Sequence, residues 1–166
     1  MAKWGSCDFS QLKEFQEKLQ GIQDAEIQRF CTLVSKELAA RLLRLVIPNT
    51  PVGQYPADSG KVGGTLRRGW TAGRDIDPVM YAMTLPVSRS GTGYTITIIN
   101  PVHYASYVEY GHRQTPGRFV PAIGKRLKKG WVEGKFMLTN AEITLEKNLP
   151  KIIEKKLTKF LEDKLK

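Results

Sequence analysis

His103, Glu109 and His112 are the residues of this 166-residue chain whose types and spacing come nearest to chemistry. Two imidazoles and a carboxylate so close together invite a zinc site. Zinc, however, calls for a fourth ligand or an HExxH pair on one helix face, and the sequence supplies neither. No GxSxG elbow or other catalytic signature is present. Gly60-Lys61-Val62-Gly63-Gly64-Thr65 has glycines and a lysine but not the Gly-Lys-Ser/Thr spacing of a nucleotide loop. Cys7 and Cys31 form no CxxC pair, and Cys31 falls among apolar residues of a helical pattern, as a buried thiol in a reducing compartment does. The expectation is no catalytic residue, no metal and no cofactor, hence no enzyme. Glu109 reads as the ion-pair partner of a nearby arginine such as Arg113.

The same segment, Asn100 to Arg113, reads better as a docking surface. His103, Tyr104, Tyr107 and Tyr110 crowd it, Gly111 turns the chain, and a basic run follows. The formal charge is +10, unevenly placed. Residues 1–47 carry seven basic and six acidic groups, whereas 113–135 carry seven basic groups against the single Glu133. A second basic group is Lys61, Arg67, Arg68 and Arg74. Clustered cations suit a polyanion, duplex phosphate being the commonest. Candidates to face phosphate are Lys61, Arg67, Arg68, Arg113, Arg118, Lys125, Arg126, Lys128 and Lys129. Candidates for the docking surface, where aromatic side chains are favoured, are Trp70, His103, Tyr104, Tyr107, Glu109, Tyr110, His112 and Phe119.

The elements that must hold these residues suggest an α+β class, with a long N-terminal helix and a C-terminal helix packed on a small antiparallel sheet. Leu12, Phe15, Leu19 and Ile22 share one helical face, and Ile27, Phe30, Cys31, Val34, Leu38, Leu42, Leu45 and Val46 form a longer stripe that Pro48 should end. Val79–Leu85 and Tyr94–Ile99 read as strands joined by a loop over Ser88–Gly93. Tyr104–Tyr110 suits two helical turns capped by Gly111. From Leu138 the pattern is helical again, with Pro150 expected to kink or divide it. One domain is expected over 1–166, with a flexible tail over 1–10, a long loop over 48–65, a basic irregular segment over 113–137 and the C-terminal helix over 138–166. No apolar run is long enough to cross a bilayer and no signal peptide is evident, so a cytoplasmic site of synthesis and no membrane partner are expected.

Three blocks resemble one family. Thr50-Pro51-Val52, Ser59-Gly60 and Leu66-Arg67-Arg68-Gly69-Trp70 are similar to its "TPVdTGnLRrSW" run. Val102 to Arg113 is similar to "veYApYvEyGtr", and Arg118-Phe119-Val120-Pro121-Ala122 leads into a final helix as in that family. The chain thus resembles the tailed-bacteriophage neck, or head–tail joining and tail-completion, family typified by the tenth gene product of a lambdoid siphophage. Its first block is stretched by Gly53–Asp58 and Lys61–Gly64. The resemblance implies a structural protein of the virion, assembled in the bacterial host cytoplasm. It also implies a homo-oligomeric ring, a hexamer matching the tail tube, in the neck around the DNA channel. Implied partners are tail tube, terminator or sheath proteins, head connector proteins, and double-stranded DNA without sequence preference. A tail terminator that caps tube or sheath is the nearest alternative, and a free DNA-binding protein is the alternative of another class.

Overall fold

The computed structural model describes residues 14, 17–55, 58, 60, 62–121 and 124–165. The expected tail 1–10, Cys7, Leu12, Phe15 and Lys61 lie outside the described residues. Glu17–Gln20 are helical, and the Gly21 amide donates back to the Glu17 carbonyl at 3.0 Å.

The central element is α1, Asp24–Asn49. Asp24 and Glu26 place negative charge in its first turn, where the unpaired amides favour it. Its core face is narrower in side-chain size than the sequence stripe suggests. Ala39, Ala40, Leu43 and Val46 are buried, while Leu42 and Leu45 are only half-buried and Ile27 is exposed. The alanines let a neighbouring helix approach closely. Pro48 does not stop α1 where expected; the helix runs on to Asn49 and Thr50 caps it. The proline forfeits one amide bond in a turn that is already ending, so its effect there is small.

Helix α2, Thr65–Gly69, follows a left-handed Gly64, and helix α3, Pro78–Thr84, packs Tyr81 and Ala82 onto α1. The strand expected over Val79–Leu85 is therefore a helix. Asp77 accepts from the amides of Val79 (2.8 Å) and Met80 (3.4 Å), and Pro78 occupies the first helical position. That N-cap and proline pair outweighs a short apolar run that fits either period. Strands β1, Val87–Ser90, and β2, Gly93–Ile96, form an antiparallel hairpin in register Val87↔Ile96. Ser88–Ser90 is thus strand rather than loop, and Gly91, at φ 58, makes the turn. Tyr94 and Ile96 are half-buried and Thr95 is exposed, the alternation of a half-covered strand. Continued register sets Pro86 opposite Thr97, where no amide is available, so the ladder ends before the expected Ile99.

Helix α4, Ala105–Tyr110, leads into β3, Gly111–Arg113, which pairs with β6, Trp131–Glu133. Between them β4, Phe119–Val120, pairs with β5, Lys125–Arg126. Among the described residues the expected single small sheet is instead three separate two-stranded ribbons. Helix α5, Met137–Leu165, runs through Pro150 without division. It lies antiparallel to α1, fastened by the Phe30–Phe160 ring contact (centroids 4.6 Å), Glu37–Lys156 (2.5 Å) and Glu26–Lys164. Met137 and Ala141 join the α1 residues, Leu66, Trp70, Tyr81 and Ala82 in one core. The class is α+β. Among the described residues no helix is long and apolar enough to cross a membrane.

Candidate functional site

The first sequence block builds a joint at the end of α1. Thr50 is fully buried; its hydroxyl donates to the Val46 carbonyl and accepts from the Trp70 indole N–H, both at 2.7 Å. Arg67 donates from Nε and Nη2 to the Thr50 carbonyl (3.1 and 2.7 Å) and from Nη2 to Pro48 O (3.3 Å). A guanidinium over the last carbonyls of a helix is the arrangement that both hydrogen bonding and the helix dipole favour. Arg67 is therefore engaged within the fold rather than held free for phosphate, and Trp70, 3% exposed, is core rather than subunit interface.

Asn100 ties the second block to the first. Its side-chain amide donates to the Leu66 carbonyl at 2.8 Å, and its Oδ1 accepts from the Val102 amide at 3.2 Å. Gly69 sits beneath it; a Cβ there would lie 2.2 Å from Asn100 Oδ1. The residues that carry the resemblance in these blocks are thus largely those that lock α1, α2 and the approach to α4 together.

Glu109 is the second correction to the interface set. It is 5% exposed, and its carboxylate accepts from Leu138 N (3.0 Å), Thr139 N (2.9 Å) and Thr139 Oγ1 (2.8 Å). The expected ion pair with Arg113 does not form; the side chain instead caps the N-terminus of α5 across 29 residues of sequence. The backbone follows it, with Lys135 N on Val108 O and Phe136 N on Glu109 O. Gly111 and Gly134 are required at this crossing. A Cβ on Gly111 (φ 83) would meet Val132 O at 2.4 Å, and one on Gly134 would meet Glu109 O at 2.2 Å. Gly111 was expected as a helix cap; here it is also the first residue of β3.

The basic segment 113–137, expected to be irregular, is largely an antiparallel arm. Beyond the β3–β6 base, Gln114 N bonds Gly130 O, Gly117 N bonds Leu127 O and Leu127 N bonds Arg118 O, which carries the pairing out to β4–β5. Arg113, Arg118, Lys125, Arg126, Lys128 and Lys129 are all exposed on it. Arg126 additionally donates to the Gly117 carbonyl at 2.8 Å. Two cross-strand pairs set a cation opposite an aromatic: Arg113↔Trp131 and Phe119↔Arg126. Phe119 and Trp131 are 50% and 51% exposed, so the arm presents both charge and apolar surface.

The remaining candidates surround the arm's base. Tyr107 and Tyr110 are 57% and 62% exposed, and Tyr107 leans toward the His112 ring (5.7 Å between centroids). Tyr104 is half-buried toward the loop after Pro51, whereas Tyr107 is exposed. His103 is exposed and meets Tyr104 edge-on. His112 Nε2 lies 3.3 Å from Gln114 Nε2, while its Nδ1 is buried without a partner. Arg68 is exposed, with one bond to Gly63 O. The zinc idea finds no cluster: among the described residues no three His, Cys, Asp or Glu side chains converge. Trp131 and Phe136, both exposed beside the candidates, were missed, although two large aromatics in a Gly-rich basic segment were a visible signal.

Residues 13–111 match the family described as "Bacteriophage HK97-gp10, putative tail-component". Neither a curated protein nor a solved structure matches the chain. The matched stretch holds α1 to α4 and the β1–β2 hairpin, and with them the Thr50–Arg67–Trp70 joint, the Asn100 latch and Glu109. The arm and α5 lie beyond it. The chain belongs to the HK97-gp10-like family of bacteriophage tail components.

Proposed function

We propose that this tail component is a structural, non-enzymatic protein of the neck. It forms a six-membered ring at the head-proximal end of the tail and joins or completes the tail around the DNA channel. On this reading residues 1–166 act as one head–tail joining domain, placed between tail tube, terminator or sheath proteins on one side and head connector proteins on the other. Assembly takes place in the host cytoplasm and the protein ends in the virion.

The arm carries this reading. Six exposed cations on a ribbon that pairs mainly with itself form a modest charge on one subunit, and a closed ring repeats that charge around its axis. Neutralising phosphate in this way is independent of sequence, as passage of any genome through a bore requires. Exposed Tyr107, Tyr110, Phe119 and Trp131 at the arm and its base supply the aromatic area that stable protein contacts use. With Trp70, Glu109 and Arg67 engaged inside the subunit and Lys61 outside the described residues, the interface set is His103, Tyr104, Tyr107, Tyr110, His112 and Phe119. The channel set is Arg68, Arg113, Arg118, Lys125, Arg126, Lys128 and Lys129.

Cryo-electron microscopy of intact particles tests the placement. A ring of this chain between head connector and tail tube is the expected result. Its density elsewhere, along the tail or at the distal tip, would overturn the neck assignment.

A further inference from the structure

A groove of about 530 Å³ runs between α1 and α5. Arg41, Arg44, Lys151 and Lys155 stand on its rim, and Leu145 and Ile152 are among its apolar lining. Glu37 pairs with Arg41 at 2.8 Å. Arg44, Lys151 and Lys155 form no ion pair among the described residues. Unpaired like charges around an apolar floor leave two needs at once: counter-charge, and cover for the floor. A phosphate chain answers only the first. An acidic segment with apolar side chains answers both.

The subunit carries a short stretch of this kind. Asp75, which follows Arg74, precedes Ile76, and Met80 and Met83, three apart in α3, share its outer side; all three apolar side chains are exposed. No lysine or arginine lies from Asp75 to Ser88. The knob and the groove sit on different sides of α1. Lys36, which donates to the Met83 carbonyl at 2.6 Å, marks the side against which α3 lies. Arg41, Arg44 and Leu45, which line the groove, are turned from Lys36 by roughly 80° to 180° at about 100° per residue. A surface and its complement on different sides of one subunit make a heterologous contact, the kind that closes into rings.

We infer that the Asp75–Met83 knob of one copy seats in the α1–α5 groove of the next. Asp75 meets the cations of the rim, and Ile76 and Met80 lie on Leu145 and Ile152. The inference rests on the ring reading above and specifies which surfaces close that ring.

Cross-linking full-length chains tests it. An Ile76→Cys chain is mixed with an Ile152→Cys chain, both also Cys7→Ser and Cys31→Ser, and treated with a short bismaleimide beside sedimentation velocity on the same samples. A mixed dimer is expected. Lys151→Glu with Lys155→Glu on the second chain should weaken association roughly tenfold, and Asp75→Lys on the first should restore part of it. Oligomers that form without the cross-link would overturn the groove and leave the ring standing. Monomers with no cross-link would also overturn the groove, leaving the ring to be judged on particles. If the lysine reversals spare assembly but release a short DNA duplex, the groove is a phosphate site and the inference falls.

Discussion

Glu109 shows how much one side chain organises here. It is buried, and it answers two amides and a hydroxyl at the start of α5, a helix that begins far from it in sequence. Removing the carboxylate leaves those half-buried donors without an acceptor, so Glu109→Ala should cost about 2 kcal/mol in urea unfolding, and Glu109→Gln roughly half as much. A change under about 0.5 kcal/mol for Glu109→Ala would contradict the capping role. The two neighbouring arginines separate in the same way. Arg67→Ala removes the cap from α1 and should cost about 1 kcal/mol, whereas Arg68→Ala should lie within about 0.5 kcal/mol of wild type. Equal losses from both would contradict the distinction. Neither role was legible in the sequence, because the partners of Glu109 and Arg67 are backbone groups that no side-chain pattern announces. Trp70 was misjudged for a related reason: its indole N–H finds Thr50, so an aromatic beside two arginines is core. Gly111 was legible, since only glycine fits φ 83 with a carbonyl so near.

At the scale of elements, two devices matter. The first is the antiparallel α1–α5 pair. Burial pushes the Glu37 carboxyl up, but hydrogen bonds from Lys156 and Arg41 outweigh this and hold it below the ordinary 4.5. At exposed Glu26 the hydrogen bond from Lys164 is the main cause of a similar lowering. A carboxyl lowered by folding stabilises above its unfolded value, and that stability is lost as pH falls from about 4.5 through the folded value. The Tm of the wild type should therefore fall more steeply below pH 4.5 than that of Glu37→Gln; parallel curves would contradict the pair's role. The second device is the arm. Alanine at Lys125, Arg126, Lys128 and Lys129 should reduce the salt dependence of duplex binding by about 0.9 in log–log slope for each phosphate contact removed. An unchanged slope would take DNA away from the arm. The long helices were legible from their period, and so was the hairpin around Gly91. The strand expected over Val79–Leu85 failed because a short, mostly apolar run fits both periods and the decisive Asp77-Pro78 start lay just outside it. The arm was hidden because its pairing depends on short strands of two and three residues, which leave almost no periodic trace.

For the whole molecule, family membership makes the chain a component of a phage tail. The matched residues 13–111 hold most of the core, and six exposed cations with Phe119 and Trp131 lie on the arm beyond it. That division suits a subunit whose body fixes a ring and whose arm reaches the bore or a neighbour. The ring proposed for it joins tails to heads. Negative-stain electron microscopy of lysates from host cells producing the phage with and without this chain tests it most directly. Without it, separate heads and separate tails should accumulate, and supplying the chain should restore joined particles. Joined, intact particles at normal numbers in its absence would overturn the joining role.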